Sequence, residues 1–374
     1  MSSVQKRGDQ AYRDAGVDYA VLDAGKRLAI KAALATSSHI ERRGGKVLEA
    51  SRGESAFVFQ AGGQTLALVM EGLGTKSIIA RRVAERGRNH FDAVAYDTVA
   101  AIINDLCCVG ARPLVLNAYF STGRPEWFDN QEWYEQLIEG WFAGCVDAGC
   151  TWGGGESPSL PELVTGEDIE LAGSAVGLIP DGREPVLGQN LKAGNEIVLI
   201  ASSGLHANGS SLARMIASNL KDEYETPLPS GETLGDALLR RSFMYSDLVD
   251  SVLDAGLPVT YMSHVTGHGL LKLMRPTHDL TYRITRLLPV PEVLEFMVQK
   301  AEMSARVAYS TFNMGHGFAI YCEAGSGESI VESAKKKGLD GVVAGRVEDG
   351  RRRIVVEPLE IEYGSEELRL GPDS

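Results

Sequence analysis

The stretch that decides the fold of this chain is Thr65–Lys76, TLALVMEGLGTK. An apolar run ends directly at Glu71, and Gly72 and Gly74 then precede Thr75 and Lys76, which predicts a strand that turns into a helix. A carboxylate at a strand end can bind a hard cation, glycines allow close approach of the backbone, and a lysine can meet phosphate. The alternative is an ordinary strand-to-helix turn whose charged side chains face solvent.

Apolar patterns on both sides of this stretch predict further elements of the same half. The two apolar runs of Phe57–Met70 flank Ala61–Gln64, which is typical of a β-hairpin. The other predictions are a short helix at Leu28–Ala35, a buried helix at Tyr96–Val109, a strand at Leu114–Phe120, an amphipathic helix at Trp133–Ala148 and a strand at Glu170–Ile179.

A turn-rich break at Pro180–Pro185 separates this half from the next, and we place the domain boundary at 181–193. The second half alternates helices and strands, which indicates an α/β fold without fixing the sheet type. Its predicted elements are strands at Glu196–Ala201, near Thr260, at Phe318–Cys322 and at Gly341–Val347, and a helix from Ser210. We therefore predict domains at 1–185 and 186–360, followed by a loose polar tail at 361–374.

The composition excludes several classes of function. The 374 residues carry a formal net charge of −13, which gives no electrostatic footprint for nucleic acid or an anionic membrane. The N-terminus has no apolar signal core and no window resembles a membrane span, so we expect a cytoplasmic protein. Five cysteines favour buried, reduced thiols, and Cys145 and Cys150 are too far apart in sequence for a paired zinc knuckle.

The predicted helix around Asp97–Asp105 is apolar on nearly all sides, so its carboxylates need partners. At 100° per residue, Asp97 and Asn104 share a face, with Asp105 about 80° away. Asp97 and Asp105 lie about 12 Å apart along an ideal helix, so a single ion cannot bridge them, whereas a magnesium–nucleotide assembly can. The alternative is a helix whose ends are simply exposed.

Four glycine-rich segments carry further polar groups. Thr151–Glu156, TWGGGE, ends in a carboxylate but is by itself a common turn. Ser202–Gly209, SSGLHANG, follows a strand and opens a helix, so its amides and hydroxyls can form an anion site, although a capped turn is the alternative. His264, His268 and His316 lie among glycines, which argues against a zinc-binding helix. The alternative is that these histidines are ordinary surface residues of loops.

Taken together, these segments resemble the phosphoribosylformylglycinamidine cyclo-ligase family, also called aminoimidazole ribonucleotide synthetases. The matching segments, in order, are YRDAGVD (12–18), EGLGTK (71–76), YDTVAAIINDL (96–106), GARPL (110–114), GGGE (153–156), SSGLHANGSSL (202–212), HVTGHG (264–269) and STFNMGHG (310–317). The superfamily also contains thiamine monophosphate kinase, selenophosphate synthetase and a hydrogenase-maturation dehydratase.

The chain departs from the family pattern at four places. Glu71 stands where the family has Asp, and His268 stands where many members have Gly. The family's glycine-rich stretch before the first motif has no clear counterpart, and SPSLPELV follows Glu156 in place of the more usual TAEMPG. These differences indicate a divergent branch of the same enzyme or a paralogue with another substrate.

The resemblance implies a function for each matched segment. It implies a two-domain α/β (α+β) fold, a homodimer built by the N-terminal sheets, and the use of ATP and Mg²⁺ to cyclise formylglycinamidine ribonucleotide. By motif position it assigns Glu71, Asp97 and Asp105 to the metal; Lys76, Asp97 and Asn104 to ATP phosphates; Ser203, Gly204, His206, Asn208, Thr266, Thr311 and Asn313 to the ribonucleotide; and His206 or His264 to proton transfer. The alternatives are a small-molecule kinase or amide-activating paralogue, or a catalytically silent nucleotide-binding partner.

Overall fold

A computed structural model describes residues 28–368. The first half forms a mixed six-stranded sheet in the order β1-β2-β3-β6-β4-β5. Its strands are β1 (Lys46–Val47), β2 (Phe57–Ala61), β3 (Gln64–Gly72), β4 (Arg112–Thr122), β5 (Thr151–Glu156) and β6 (Ile169–Ile179). Gly62 and Gly63 connect β2 and β3 with φ of 59° and 82°. Two successive positive φ values suit a two-residue hairpin, which confirms the predicted turn.

Helices cover one face of this sheet and leave the other open. In the first half the helices are α1 (residues 28–34), α2 (Ser38–Glu41), α3 (Lys76–Ala84), α4 (Phe91–Cys107) and α5 (Gln131–Asp147). Helix α4 is buried along almost its whole length because it lies between the sheet, α5 and the second domain. On the opposite face, Leu68 and Met70 of β3 are 41% and 71% exposed.

The second half forms a seven-stranded sheet in the order β13-β12-β9-β11-β7-β10-β8, antiparallel except for β9 with β12. Its strands are β7 (Glu196–Ala201), β8 (Val259–His264), β9 (Leu280–Ile284), β10 (His316–Cys322), β11 (Gly341–Asp349), β12 (Arg353–Val356) and β13 (Ile361–Gly364). The helices are α6 (Ser210–Ser218), α7 (Leu234–Leu238), α8 (Ser246–Asp254), α9 (Glu292–Lys300), α10 (Ala305–Tyr309) and α11 (Gly327–Lys336).

Two expectations fail in the described residues. Residues 361–368 do not form a loose tail, because β13 pairs with β12 and Tyr363 and Leu368 are fully buried. Apolar side chains at these two positions anchor an otherwise polar segment. The glycine run of Thr151–Glu156 is not a turn but strand β5, which pairs in parallel with β4. Residues 12–18 and 369–374 lie outside the described part of the chain.

Ion pairs join the two domains at the edge of their contact. Arg88 Nη1 and Nη2 donate to the carboxylate of Glu225 at 2.6 and 2.8 Å, and Arg88 Nε donates to Asp236 at 2.9 Å. A guanidinium that meets two carboxylates fixes the relative orientation of the elements that carry them. Within residues 28–368, no helix has the length and apolar character that a membrane crossing needs.

Candidate active site between the two domains

Two neighbouring cavities lie where α4 faces the second domain. The large cavity has a volume of about 530 Å³, and the small cavity has about 10 Å³, room for roughly one water molecule. The polar residues that line the large cavity include Arg52, Glu54, Glu71, Asp105, Asn208, His264, Thr266, His268, Lys272 and Arg275. Those that line the small cavity include Asp97, Asn104, His206, Asn208, Ser242, His264, Thr266 and Asn313.

The structure thus divides the residues predicted from the sequence into three groups. Five line the large cavity: Glu71, Asp105, Asn208, His264 and Thr266. Asp97, Asn104, His206 and Asn313 line only the small one. Lys76, Ser203, Gly204 and Thr311 line neither cavity.

His264 and Asp105 form a polar link across the domain boundary beside the large cavity. His264 Nδ1 lies 2.7 Å from Asp105 Oδ1, and the two side chains are 5% and 14% exposed. Burial acts to raise the pKa of Asp105, but the hydrogen bond and charge of His264, with Lys272 and Arg275, lower it overall. Asp105 is therefore ionised, His264 Nδ1–H donates to it, and Nε2 is the ring nitrogen left for a ligand.

Lys76 and Asp97 form an ion pair in which both side chains are fully buried. Lys76 Nζ donates to Asp97 Oδ2 at 2.5 Å and to the carbonyl oxygen of His206 at 2.8 Å. Asp97 Oδ1 accepts the backbone N–H of Ser242 at 2.6 Å. Both carboxylate oxygens therefore have partners, and Lys76 itself lines neither cavity. The sequence pattern identified these charged residues but not that they bind each other.

Asn104 joins α4 to the second domain in a similar manner. Its Nδ2 donates to the carbonyl oxygen of Phe243, and its Oδ1 accepts the N–H of Tyr245, both at 2.9 Å. The amide matches one donor and one acceptor of the backbone that leads into α8. Asn104 therefore holds residues 243–245 against the helix, and the predicted contact with a phosphate stays a prediction.

His206 is strained and buried, and one of its ring nitrogens has no partner. Its backbone adopts a φ of 59°, which is uncommon outside glycine. Nε2 accepts the N–H of Ser203 at 3.1 Å, so the proton of the neutral ring is on Nδ1, which is buried without a hydrogen-bond partner. Burial, followed by the charges of His264 and Lys76, lowers the pKa of His206 well below its usual value. His206 is therefore a neutral donor toward the small cavity.

The loop Ser202–Gly209 uses most of its polar groups internally. Ser203 Oγ donates to the carbonyl oxygen of Arg241 at 2.6 Å. Asn313 Nδ2 donates to the carbonyl oxygen of Gly204 at 2.9 Å, and Asn313 Oδ1 accepts from Ser202 Oγ at 2.8 Å. Of this loop, Ala207 and Asn208 line the large cavity.

The sequence reasoning missed the basic wall of the large cavity. Arg275 Nε donates to the carbonyl oxygen of Gly53 at 2.9 Å, and its Nη1 donates to Ser55 Oγ at 2.6 Å. Tyr261 donates to Glu54 Oε2 at 2.7 Å, while burial raises the pKa of Glu54. The signal available in the sequence was two cations, Lys272 inside the otherwise apolar Leu270–Met274 and Arg275 directly after it. Cations beside carboxylates suit the binding of an anionic ligand together with a metal ion.

The carboxylates of the site suit magnesium only in part. Among residues 28–368, no three His, Cys, Asp or Glu side chains are grouped closely enough to hold a metal ion by themselves. Mg²⁺ commonly uses one or two carboxylates and completes its shell with water and substrate phosphates. Glu71 and Asp105 line the large cavity and meet that requirement, whereas Asp97 is bound to Lys76 and Ser242.

Fold and site together define a two-domain α/β protein with a polar ligand cavity between its domains. Residues 53–179 match the family described as AIR synthase related protein, N-terminal domain, and residues 192–357 match the corresponding C-terminal domain. The chain therefore belongs to the AIR synthase related protein family, which confirms the resemblance noted in the sequence.

Known proteins agree with this assignment. The chain is 30% identical to a phosphoribosylformylglycinamidine cyclo-ligase of Methanococcus vannielii, over 90% of this chain and 92% of the relative. Among solved structures, thiamine-monophosphate kinase from Stenotrophomonas maltophilia has a TM-score of 0.58 at 17% identity, covering 82% of this chain and 90% of the other. Hydrogenase maturation protein HypE in complex with ATP has a TM-score of 0.57 at 13% identity, covering 80% and 83%. These structures share the fold.

Proposed function

We propose that this protein is an ATP-dependent cyclo-ligase that converts formylglycinamidine ribonucleotide to aminoimidazole ribonucleotide in purine biosynthesis, and that it acts in the cytoplasm. The observation that carries the proposal is the large cavity, which brings Glu71 and Asp105 from one domain together with Asn208, His264 and Thr266 from the other. Full-length similarity to curated cyclo-ligases supports the choice of substrate.

In the proposed reaction, phosphorylation of the formamide oxygen converts it into a leaving group, and the amidine nitrogen then attacks the same carbon. Glu71 and Asp105 would hold Mg²⁺, which when bound neutralises charge on the transferred phosphoryl group. Asp105 accepts the Nδ1–H of His264, so Nε2 of the neutral ring would be the acceptor for the amidine proton. His206 is less suited to this step, since its Nε2 already accepts a backbone N–H.

Substrate and nucleotide would occupy different parts of the large cavity. Lys272 and Arg275 lie on the wall contributed by the second domain, and Glu71 lies on the wall contributed by the first. A bare phosphate is repelled by carboxylates and attracted by cations, so we assign the ribonucleotide phosphate to the basic wall and the side of Asn208. ATP with its magnesium then belongs on the side of Glu71 and Asp105.

The direct test is incubation with ATP, Mg²⁺ and formylglycinamidine ribonucleotide, followed by separate measurement of ADP and the aminoimidazole product. We expect the two products in equal amounts. Release of ADP without ring formation would instead favour a kinase or amide-activating paralogue. That second candidate is supported by His268, which lines the cavity where many relatives have glycine.

We further propose that the protein is a homodimer joined through the open face of the first sheet. In the strand pairing of the first sheet, Leu68 of β3 lies opposite Phe57 of β2 and opposite Val176 of β6. These three side chains therefore lie on the same face of the sheet as Met70. A sheet face that exposes several large apolar side chains is typical of an interface. A second copy can cover it because a two-fold contact pairs the same patch with itself.

The dimer proposal predicts that Met70→Glu shifts the protein toward the monomer in sedimentation velocity at micromolar concentration. Glu139→Gln, on the exposed side of α5, serves as the matched surface control. A parent protein that sediments as a monomer would contradict the proposal.

A further inference from the structure

Two cysteines meet at the C-terminal end of α5, away from both cavities. Cys145 is 4% exposed, whereas Cys150 is partly exposed. The N–H of Cys150 donates to the carbonyl oxygen of Cys145 at 3.0 Å, and the N–H of Gly149 donates to Val146 O at 3.0 Å. With Gly149 at a φ of 63°, these bonds form a Schellman motif.

This motif explains why the two thiols are neighbours although four residues separate them in sequence. A Schellman motif folds the second residue beyond the helix cap back onto the last turn, so that its side chain contacts that of the third-last helical residue. Those two positions are Cys150 and Cys145. Each of these two thiols is the main influence on the pKa of the other, as expected for side chains in contact.

The pair is chemically asymmetric. The interaction with Cys145 lowers the pKa of Cys150, whereas the interaction with Cys150, followed by burial, raises the pKa of Cys145. A partly exposed thiol with a lowered pKa is the one that attacks a disulfide, and a buried neighbour in contact with it can resolve the product. The other cysteines, Cys107, Cys108 and Cys322, are buried.

We propose that Cys145 and Cys150 form a reversible disulfide by exchange with a small-molecule disulfide. The Cys150 thiolate attacks one sulfur of that reagent, forms a mixed disulfide and releases one thiolate. Cys145 then loses its proton and attacks the Cys150 sulfur, which expels the second thiolate. One reagent disulfide is thereby reduced to two thiols while two protein thiols become one disulfide. The bond ties the last turn of α5 to the residue that precedes β5.

The test uses the full-length protein and oxidised glutathione. After treatment, denaturation and blocking of free thiols, we expect the five thiols of the sequence to fall to three and to return to five with dithiothreitol. Cleavage before Asp147 separates the two cysteines, so the flanking peptides stay joined only through the new bond. Mass spectrometry of that digest identifies the pair directly.

Matched variants assign the roles of the two thiols. Cys322→Ser should still lose two thiols. Cys145→Ser should stop at a mixed disulfide with glutathione on Cys150, and Cys150→Ser should resist modification in the folded state because Cys145 is buried. Five free thiols after treatment of the parent protein, or a bond between any other pair, would overturn the proposal. The mass-spectrometric identification of the disulfide uses the parent protein. It therefore tests the proposal even if a variant fails to fold.

Discussion

The small and large cavities share the wall formed by Asn208, His264 and Thr266, yet they differ in what their polar groups do. Around the small cavity, Asp97 and Asn104 bind other parts of the protein with both ends of their side chains. The large cavity has room for a ligand and combines carboxylates with cations. Most buried polar groups are paired within the protein, whereas groups beside a cavity can complete their pairing with a ligand.

The difference predicts that variants around the small cavity act on stability. Lys76→Met, the largest effect we expect, leaves the Asp97 carboxylate buried without its cation and should lower the free energy of unfolding by about 3–5 kcal/mol. Urea unfolding followed by tryptophan fluorescence measures this loss. The double variant Lys76→Met/Asp97→Leu should recover part of it, because it removes both charges. A single variant within about 1 kcal/mol of the parent would show that the pair is not structural.

Variants of the large cavity should act on turnover instead. Glu71→Gln removes one proposed magnesium ligand from an exposed side chain and should reduce the rate of product formation by about 100-fold or more. The free energy of unfolding should change by less than about 0.5 kcal/mol. Glu139→Gln, at another exposed glutamate that lines neither cavity, is the control for loss of a surface charge. Near-parental turnover in Glu71→Gln would exclude it as a metal ligand.

Buried histidines should make stability depend on pH. Burial lowers the pKa of His316 to about 4, and its Nε2 accepts the N–H of Leu288. Between pH 6.5 and 4 the unfolded chain binds a proton at this residue and the folded chain does not. Its contribution to stability, about 3 kcal/mol, is therefore present above pH 6.5 and is lost as the pH falls toward 4.

Urea unfolding at several pH values measures this dependence. His316→Gln should make the curve flatter over that range, although the variant is also less stable at neutral pH. The control variant His278→Gln, at an exposed histidine, should leave the slope of the stability curve unchanged. A parent curve that is flat between pH 6.5 and 4 would contradict the argument from burial.

The smallest effect that we expect is a difference in KM between variants of two residues in the loop Ser202–Gly209. Asn208 lines the large cavity, whereas the hydroxyl of Ser203 is bound to Arg241. Asn208→Ala should raise the KM for the ribonucleotide about 10-fold, the cost of one hydrogen bond to a charged group, with little change in the KM for ATP. Ser203→Ala should change both values less than about 2-fold. An equal rise in the KM for ATP in Asn208→Ala would contradict the proposed division of the cavity.

The sequence by itself determined the family and most of the elements. Periodic apolar runs predicted α4 and β3 within a few residues, because such patterns report which face of an element is buried. Glu196–Ala201 agrees with β7 residue for residue. The same reasoning missed β5, because a run of glycines has no apolar pattern, and β13, because two anchoring side chains do not outweigh a polar composition.

Only the tertiary structure decided how the charged residues are paired. Lys76 and Asp97, both assigned to the nucleotide by motif, lie 21 positions apart and form a buried ion pair. Asp105 finds its partner, His264, in the other domain, 159 positions away. Spacing along one helix states which side chains share its face, but it cannot state what the second domain places against that face. Pairing across a domain contact depends on how both domains pack. The division of the site into a small and a large cavity is therefore a property of the assembled fold.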